Sequence, residues 1–170
     1  MAGRGRWVKR DDRLFTLAVY IIEGPIGKKF ARKNRGVCRT IQIRGDQTLE
    51  DLHDAIFDAF DREEEHMYEF QLGGKGPMDP RARRYVLPMA MNDPFDEEKP
   101  AGTVNRPIGS LGLKKNDTFG YWFDFGDDWW HQINVVDIQE KAGRGEYPKV
   151  TERIGQSPPQ YPDLDEEDDE

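Results

Sequence analysis

A nine-residue stretch near the start of the chain, LFTLAVYII at 14–22, constrains the fold more than any other segment, because it is apolar on both faces of an extended strand. At a period of two, Phe15, Leu17, Val19 and Ile21 fall on one side, and Leu14, Ala18, Tyr20 and Ile22 on the other. Such a strand suits the interior of a sheet and calls for burial on both sides. After a Gly- and Lys-rich connection, VCRTIQI at 37–43 sets Val37, Arg39, Ile41 and Ile43 against Cys38, Thr40 and Gln42, so it reads as the return strand of a long hairpin. Arg39 then falls on the otherwise apolar side.

A helix follows. Thr48 is suited to cap it, Asp51 stands three residues on to answer, and Leu49, Leu52, Ile56, Phe57 and Phe60 recur at helical spacing, which predicts a helix over 49–61. HMYEFQL at 66–72 alternates His66, Tyr68, Phe70 and Leu72 against Met67, Glu69 and Gln71, a third strand with one apolar face, ended by Gly73 and Gly74. Residues 75–107 carry six of the eleven prolines and read as a long loop with one short strand at 84–87. Beyond it, PIGSLGL reads as one helical turn, TFGYWFDF at 118–125 as a strand, and WWHQINVVDIQ at 129–139 as its hairpin partner. The Pro-rich EYPKVTERIGQSPPQYPD reads as surface coil. The order specifies a mixed α+β domain, β-grasp-like, with one helix across one face of a mixed sheet. It occupies 14–160, between a basic leader at 1–13 and an acidic tail at 161–170.

Charge is distributed unevenly: up to Arg44 there are twelve Lys and Arg against three Asp and Glu, and beyond it thirteen against thirty. The end, DLDEEDDE, is a like-charge block that repels itself, read either as a solvated tail or as a tail that folds back on the basic connection near 28–35. Cys38 is the single cysteine, which removes a disulfide framework and favours a reducing, cytoplasmic setting. No apolar run approaches the roughly 18 residues of a membrane span, and MAGRGRWVKR lacks the apolar core of a secretory signal.

Chemistry concentrates in FDFGDDWWH at 123–131, where Asp124, Asp127, Asp128 and His131 project from a hairpin corner. If the sheet brings that corner near His53 or His66, two carboxylates and one or two imidazoles would suffice to bind a divalent metal and activate water. The competing reading makes His53 a half-buried core histidine and the aspartates Asx-type caps of a turn. Asp124–Gly126 spell the DFG of protein kinases, but no Gly-rich loop, lysine strand or catalytic HRD accompanies them. The spacing also fits neither a calcium loop nor a phosphate-cradling loop.

Two binding classes stand beside the enzyme class. GKKFARKNR at 27–35 groups Lys28, Lys29, Lys33, Arg32 and Arg35 around Phe30, and with Arg39 these are the candidate anion contacts for a nucleic acid on which Phe30 would stack. A protein partner is favoured instead by Trp122, Trp129 and Trp130, of which one or two can be exposed.

The helix pattern Leu49, Leu52, His53, Ile56, Ala59 and Phe60 is followed by His66, Tyr68 and Phe70. After these come Tyr121 through Trp129 with His131, then Tyr147, Pro148, Pro158 and Pro159. In that fixed order the chain resembles the plasmid pRiA4b ORF-three-like family over roughly residues 14–160. The resemblance implies a small α+β protein, of a kind sometimes carried on plasmids or insertion elements, without an established reaction. Cys38 stands where the family usually has tryptophan, and the segment after Pro159 departs from the family's acidic and glycine pattern. The residues taken together point first to a non-enzymatic binding or accessory domain with no cofactor. Metal-dependent hydrolysis at the aspartate corner comes second, and nucleic-acid binding at 27–35 third.

Overall fold

Residues 10–164 are described by a computed structural model. Strands β1 (Leu14–Glu23) and β2 (Cys38–Arg44) flank a six-residue helix α1 (Lys28–Lys33), and helix α2 (Leu49–Ala59) leads to β3 (Tyr68–Leu72). Next come β4 (Arg83–Val86), β5 (Gly102–Thr103), β6 (Thr118–Phe123), β7 (Trp129–Gln139) and β8 (Lys149–Ile154), with short 3-10 turns at Pro88–Ala90 and Ile108–Ser110. All eight strands join one sheet in the order β5-β4-β3-β6-β7-β1-β2-β8. Every neighbouring pair is antiparallel except β4 with β5. The mixed α+β class holds, while β1, antiparallel to both β7 and β2, gives the β-grasp-like description no support.

The registers place one continuous layer beneath α2. Leu17 pairs with Ile41 and Val135, Tyr121 with Phe70 and His131, and Phe123 with Tyr68 and Trp129, so period-two alternation delivers these side chains to a single face. Leu49, Leu52, His53, Ile56 and Ala59 are the buried positions of α2 above that layer. Each such Leu or Ile removed from water contributes about 1.5–3 kcal/mol. The helix begins where its cap was expected: Thr48 accepts from the Asp51 amide, and Asp51 accepts from the Thr48 amide.

Arg39 pairs with Val19, so its charge does lie in the apolar layer, and it is fully buried. Its guanidinium donates to the carbonyls of Ala59, Cys38 and Ile154 and to the Ser157 hydroxyl. It is therefore not an anion contact. The opposite face of β1 departs from two-sided burial. Leu14 and Ala18 are buried, but Ile22 is 47% exposed, since among the described residues no second helical layer covers that side.

Four local expectations are corrected. The coil expected at the C-terminal side contains β8, which pairs with β2; its side chains are mostly exposed, so no apolar alternation marks it in the sequence. The basic connection holds α1 rather than an open finger, and Phe30 packs on the core instead of standing free to stack. The polar face of β3 is also buried: Gln71 accepts from the Met78 amide and donates to Glu69, and burial pushes the Glu69 carboxyl up. Asp11–Arg13, expected within the leader, are tied in by the Asp12–Arg44 ion pair and by the Asp46 amide donating to the Asp11 carbonyl. The leader before Arg10 and the acidic block after Leu164 lie outside the described residues. Among the described residues no helix is long and apolar enough to cross a membrane.

The loop after β3 crosses β6 at Gly120, where an added Cβ would lie 2.6 Å from the Pro77 Cα. Backbone cannot swing aside as a side chain can. Gly120→Ala is expected to lower unfolding free energy by about 1–3 kcal/mol in urea titrations; an unchanged midpoint would show that the 75–82 loop is not packed there.

Candidate functional site

Within α2, Glu50, His53, Asp54 and Phe57 follow the i, i+3, i+4, i+7 rule and share one flank. His53 is turned inward. Its Nδ1 meets the Tyr121 hydroxyl, and its ring stacks on Tyr68 at 3.7 Å between centroids and 2° between planes. Its Nε2 faces outward to the Glu65 carboxylate at 2.9 and 3.0 Å. Glu50, Asp54, Glu65 and His66 complete the rim of an open cleft of about 350 Å³, whose lining among the described residues includes no Lys or Arg. Burial lowers the His53 pKa despite the opposing pull of Glu65, and burial also raises the Asp54 carboxyl, helped by Glu65 and Glu50. Ligand atoms of His53, Asp54 and Glu65 all lie within 4.8 Å of one another, so among the described residues these three could hold a metal.

The aspartate corner gathers differently from the expected cluster. Asp124, at φ 63°, is buried and accepts from the amides of Gly126 and Asp127, closing the turn. Asp128, at φ 58°, accepts from the Trp122 indole at 2.9 Å. Asp127 is exposed. Of the expected contacts between corner and imidazoles, the described residues show Asp124 with His66, at 3.4 Å. His66 also reaches the Tyr161 hydroxyl at 2.6 Å, and that hydroxyl donates to Glu64.

His131 points the other way, into the core. Arg62 donates to its Nε2 at 2.7 Å, which leaves the proton on Nδ1, and Nδ1 donates to the Tyr121 carbonyl at 3.2 Å. Arg62 lies 4.9–5.3 Å from the ring centroids of Phe60, Trp129 and Phe123, a cation–π enclosure. Burial pulls its guanidinium down to about 10, which leaves it charged near neutrality. Burial, with that cation beside it, holds His131 well below the ordinary histidine value, and because both ring nitrogens are engaged inside the core it is a core group and not a ligand.

On the face away from α2, the same hairpin carries a second feature. Trp122 and Trp130 pair across β6 and β7 with centroids 4.7 Å apart and planes within 6°, and Phe125 leans on Trp122 at 4.2 Å. Trp129 is wholly buried, Trp122 and Trp130 are half-buried, and Phe125 is 39% exposed. A groove of about 310 Å³ is lined by Trp130, Met78, Pro80, Arg84 and Glu98 among others. Of the expected anion contacts, Lys28, Arg32, Lys33 and Arg35 are exposed around α1, and Lys29 is half-buried.

The sequence alone does not mark Glu65, Asp54 or Tyr121 as partners of His53. The flank of the predicted helix contains Glu50 and Asp54 beside His53, so that signal was present. Glu65 could not be read, because its place depends on the turn after α2.

Comparison with known proteins gives a family and a fold. The family described as plasmid pRiA4b ORF-3-like protein matches residues 29–162. The chain is similar to a crystallised protein of unknown function from Methanosarcina mazei Go1, with 23% identity and a TM-score of 0.62, over 83% of this chain and 69% of that one. No curated protein matches the chain.

The two buried imidazoles set a pH dependence. Both titrate below the ordinary histidine value of 6.5, so below that pH the unfolded chain takes up protons that the folded chain resists. Their contribution is full above about pH 6.5 and is lost as pH falls through that region toward the folded values. Unfolding free energy is expected to fall between about pH 7.5 and about pH 5.5, with a shallower fall in His131→Gln. Imidazole NMR of the folded protein is the direct check: His131 should remain the neutral Nδ1–H form at about pH 5.5, and a ring that protonates near its ordinary value contradicts the assignment.

Proposed function

The chain belongs to the plasmid pRiA4b ORF-3-like protein family, and from that premise we propose that it is a non-enzymatic binding or accessory domain whose contact surface is the Phe125–Trp122–Trp130 ledge. The observation that carries this reading is the arrangement of the rings: three aromatics, two of them in parallel planes, lie on a sheet face that α2 does not cover. Rigid indoles make effective anchors because they bury a large area with little loss of side-chain entropy. Glu23 is exposed and pairs with Trp130 in the sheet, Asp127 is exposed in the same corner, and Glu98 lines the adjoining groove. Indole faces with acidic neighbours suit a guanidinium or ammonium group. The partner is therefore read as a protein offering an extended, Arg- or Lys-bearing segment, in the reducing cytoplasm that the lone, buried Cys38 fits.

The alternatives have less support. Hydrolysis at Asp124, Asp127, Asp128 and His131 would need those groups to converge, and Asp124 and Asp128 are engaged in the turn while His131 faces the core. Nucleic-acid binding loses Phe30 to the core and Arg39 to backbone carbonyls, although exposed cations remain around α1.

A displayed library of random peptides, panned on the full chain with counter-selection on Trp130→Ala, tests the reading. Enriched peptides are expected to be basic and to bind Trp130→Ala at least about tenfold more weakly, the scale of a hot-spot truncation. Trp130→Ala should lower unfolding free energy by no more than about 0.5–1.5 kcal/mol beyond the area it uncovers, the loss of one ring stack, and leave the far-ultraviolet circular dichroism unchanged. Peptides that bind both forms equally, or that carry no basic bias, would remove the ledge from the proposal.

A further inference from the structure

The cleft beside α2 is separate from the ledge and lies on the other side of the sheet. We propose that His53, Asp54 and Glu65 form a binding site for a divalent transition-metal ion of the zinc class, with His53 Nε2 as the fixed ligand and the two carboxylates closing around the ion.

Geometry supports the donor set. Two ligands each ~2.1 Å from one ion stand about 3.0–3.4 Å apart. Nε2 of His53 and the Glu65 oxygens are 2.9 and 3.0 Å apart, close to that edge length. The third ligand atom lies within 4.8 Å of the others, on the exposed Asp54 side chain, so a change of rotamer brings it in. One nitrogen with two carboxylate oxygens suits zinc or manganese better than calcium, which takes oxygen alone.

The surroundings supply what a metal histidine needs behind it. A ligating imidazole is normally held through its second nitrogen, and here Nδ1 meets the buried Tyr121 hydroxyl while Tyr68 stacks along the ring. His53 is 1% exposed, so its orientation is set by the core and not by the carboxylates in front of it. Charge argues the same way. Glu50, Asp54 and Glu65 face one cleft whose lining has no Lys or Arg among the described residues. A bound dication would neutralise that concentration, and three protein ligands would leave coordination positions open to the cleft.

The test uses the full chain stripped of metal with a chelator and titrated with zinc by calorimetry and with cobalt by visible absorption. One ion per chain is expected, together with the cobalt ligand-field bands of a site containing nitrogen. Glu65→Gln and Asp54→Asn alter exposed side chains, so both should fold normally, checked by circular dichroism. Each should weaken uptake by at least about tenfold, because even changes behind a ligand cost 10–100-fold. Tyr121→Phe should also weaken it while the peptide-binding ledge is unaffected. Absence of stoichiometric uptake overturns the proposal. Uptake unchanged by both carboxylate substitutions overturns it too, since the ion would then sit elsewhere, for example on the carboxylates after Tyr161.

Discussion

The buried guanidinium of Arg39 is the interaction on which most of the remaining architecture depends. It lies where an apolar side chain of β2 would be expected and donates to four acceptors that belong to four different segments. These are Ala59 at the end of α2, Cys38 in its own strand, Ile154 at the end of β8, and Ser157 in the segment beyond. A charge removed from water is tolerated only when its donors are met, and here all four acceptors come from the backbone or side chains of the segments packed around it. Ala59 supplies a carbonyl from the last turn of α2, where no intrahelical donor follows, and it accepts from Arg153 as well. One side chain thus ties together the helix, the sheet edge and the C-terminal segment, with Phe60 packed 5.0 Å beneath it.

What could be read from the sequence follows from this division of labour. Where burial of apolar side chains decides an element, periodicity exposes it: α2 and its capping box, β1, β2, the β6–β7 hairpin, and Arg39 as an intruder on an apolar face. Where an element is held by backbone bonding or by a few polar side chains, the pattern is silent. β8 has mostly exposed residues and joins through β2 and Arg39, so it reads as coil, and β5 is two residues long. α1 is similarly obscured, since its cations suggest a solvated loop while the single ring of Phe30 anchors the turn to the core.

The candidate sites were only partly legible for a related reason. Alternation along β6 and β7 permitted one or two exposed tryptophans, and the register decides which: Trp122 meets Trp130 on the open side, while Trp129 meets Phe123 below. The three histidines were all marked, yet their roles depend on which neighbours the tertiary structure supplies. His131 gains a cation and loses any ligand role, whereas His53 keeps one nitrogen toward the cleft. Neither outcome is encoded in local spacing, because Arg62 and Glu65 both come from the irregular segment between α2 and β3.

The corner itself then has a clearer physical meaning than that of a reactive cluster. Asp124 and Asp128 both adopt left-handed backbone, a conformation aspartate accepts more readily than most residues, and the Asp128 amide donates to the Asp124 carbonyl at 2.7 Å. Their carboxylates face different tasks: Asp124 stands beside His66 at the cleft rim, and Asp128 holds the Trp122 indole in the ledge. Because residues alternate between faces, a slip of one position in the β6–β7 register would drive Trp122 and Trp130 into the core and Tyr121 and His131 out of it. The aspartates that close that turn therefore support both candidate surfaces at once, one on each side of the sheet.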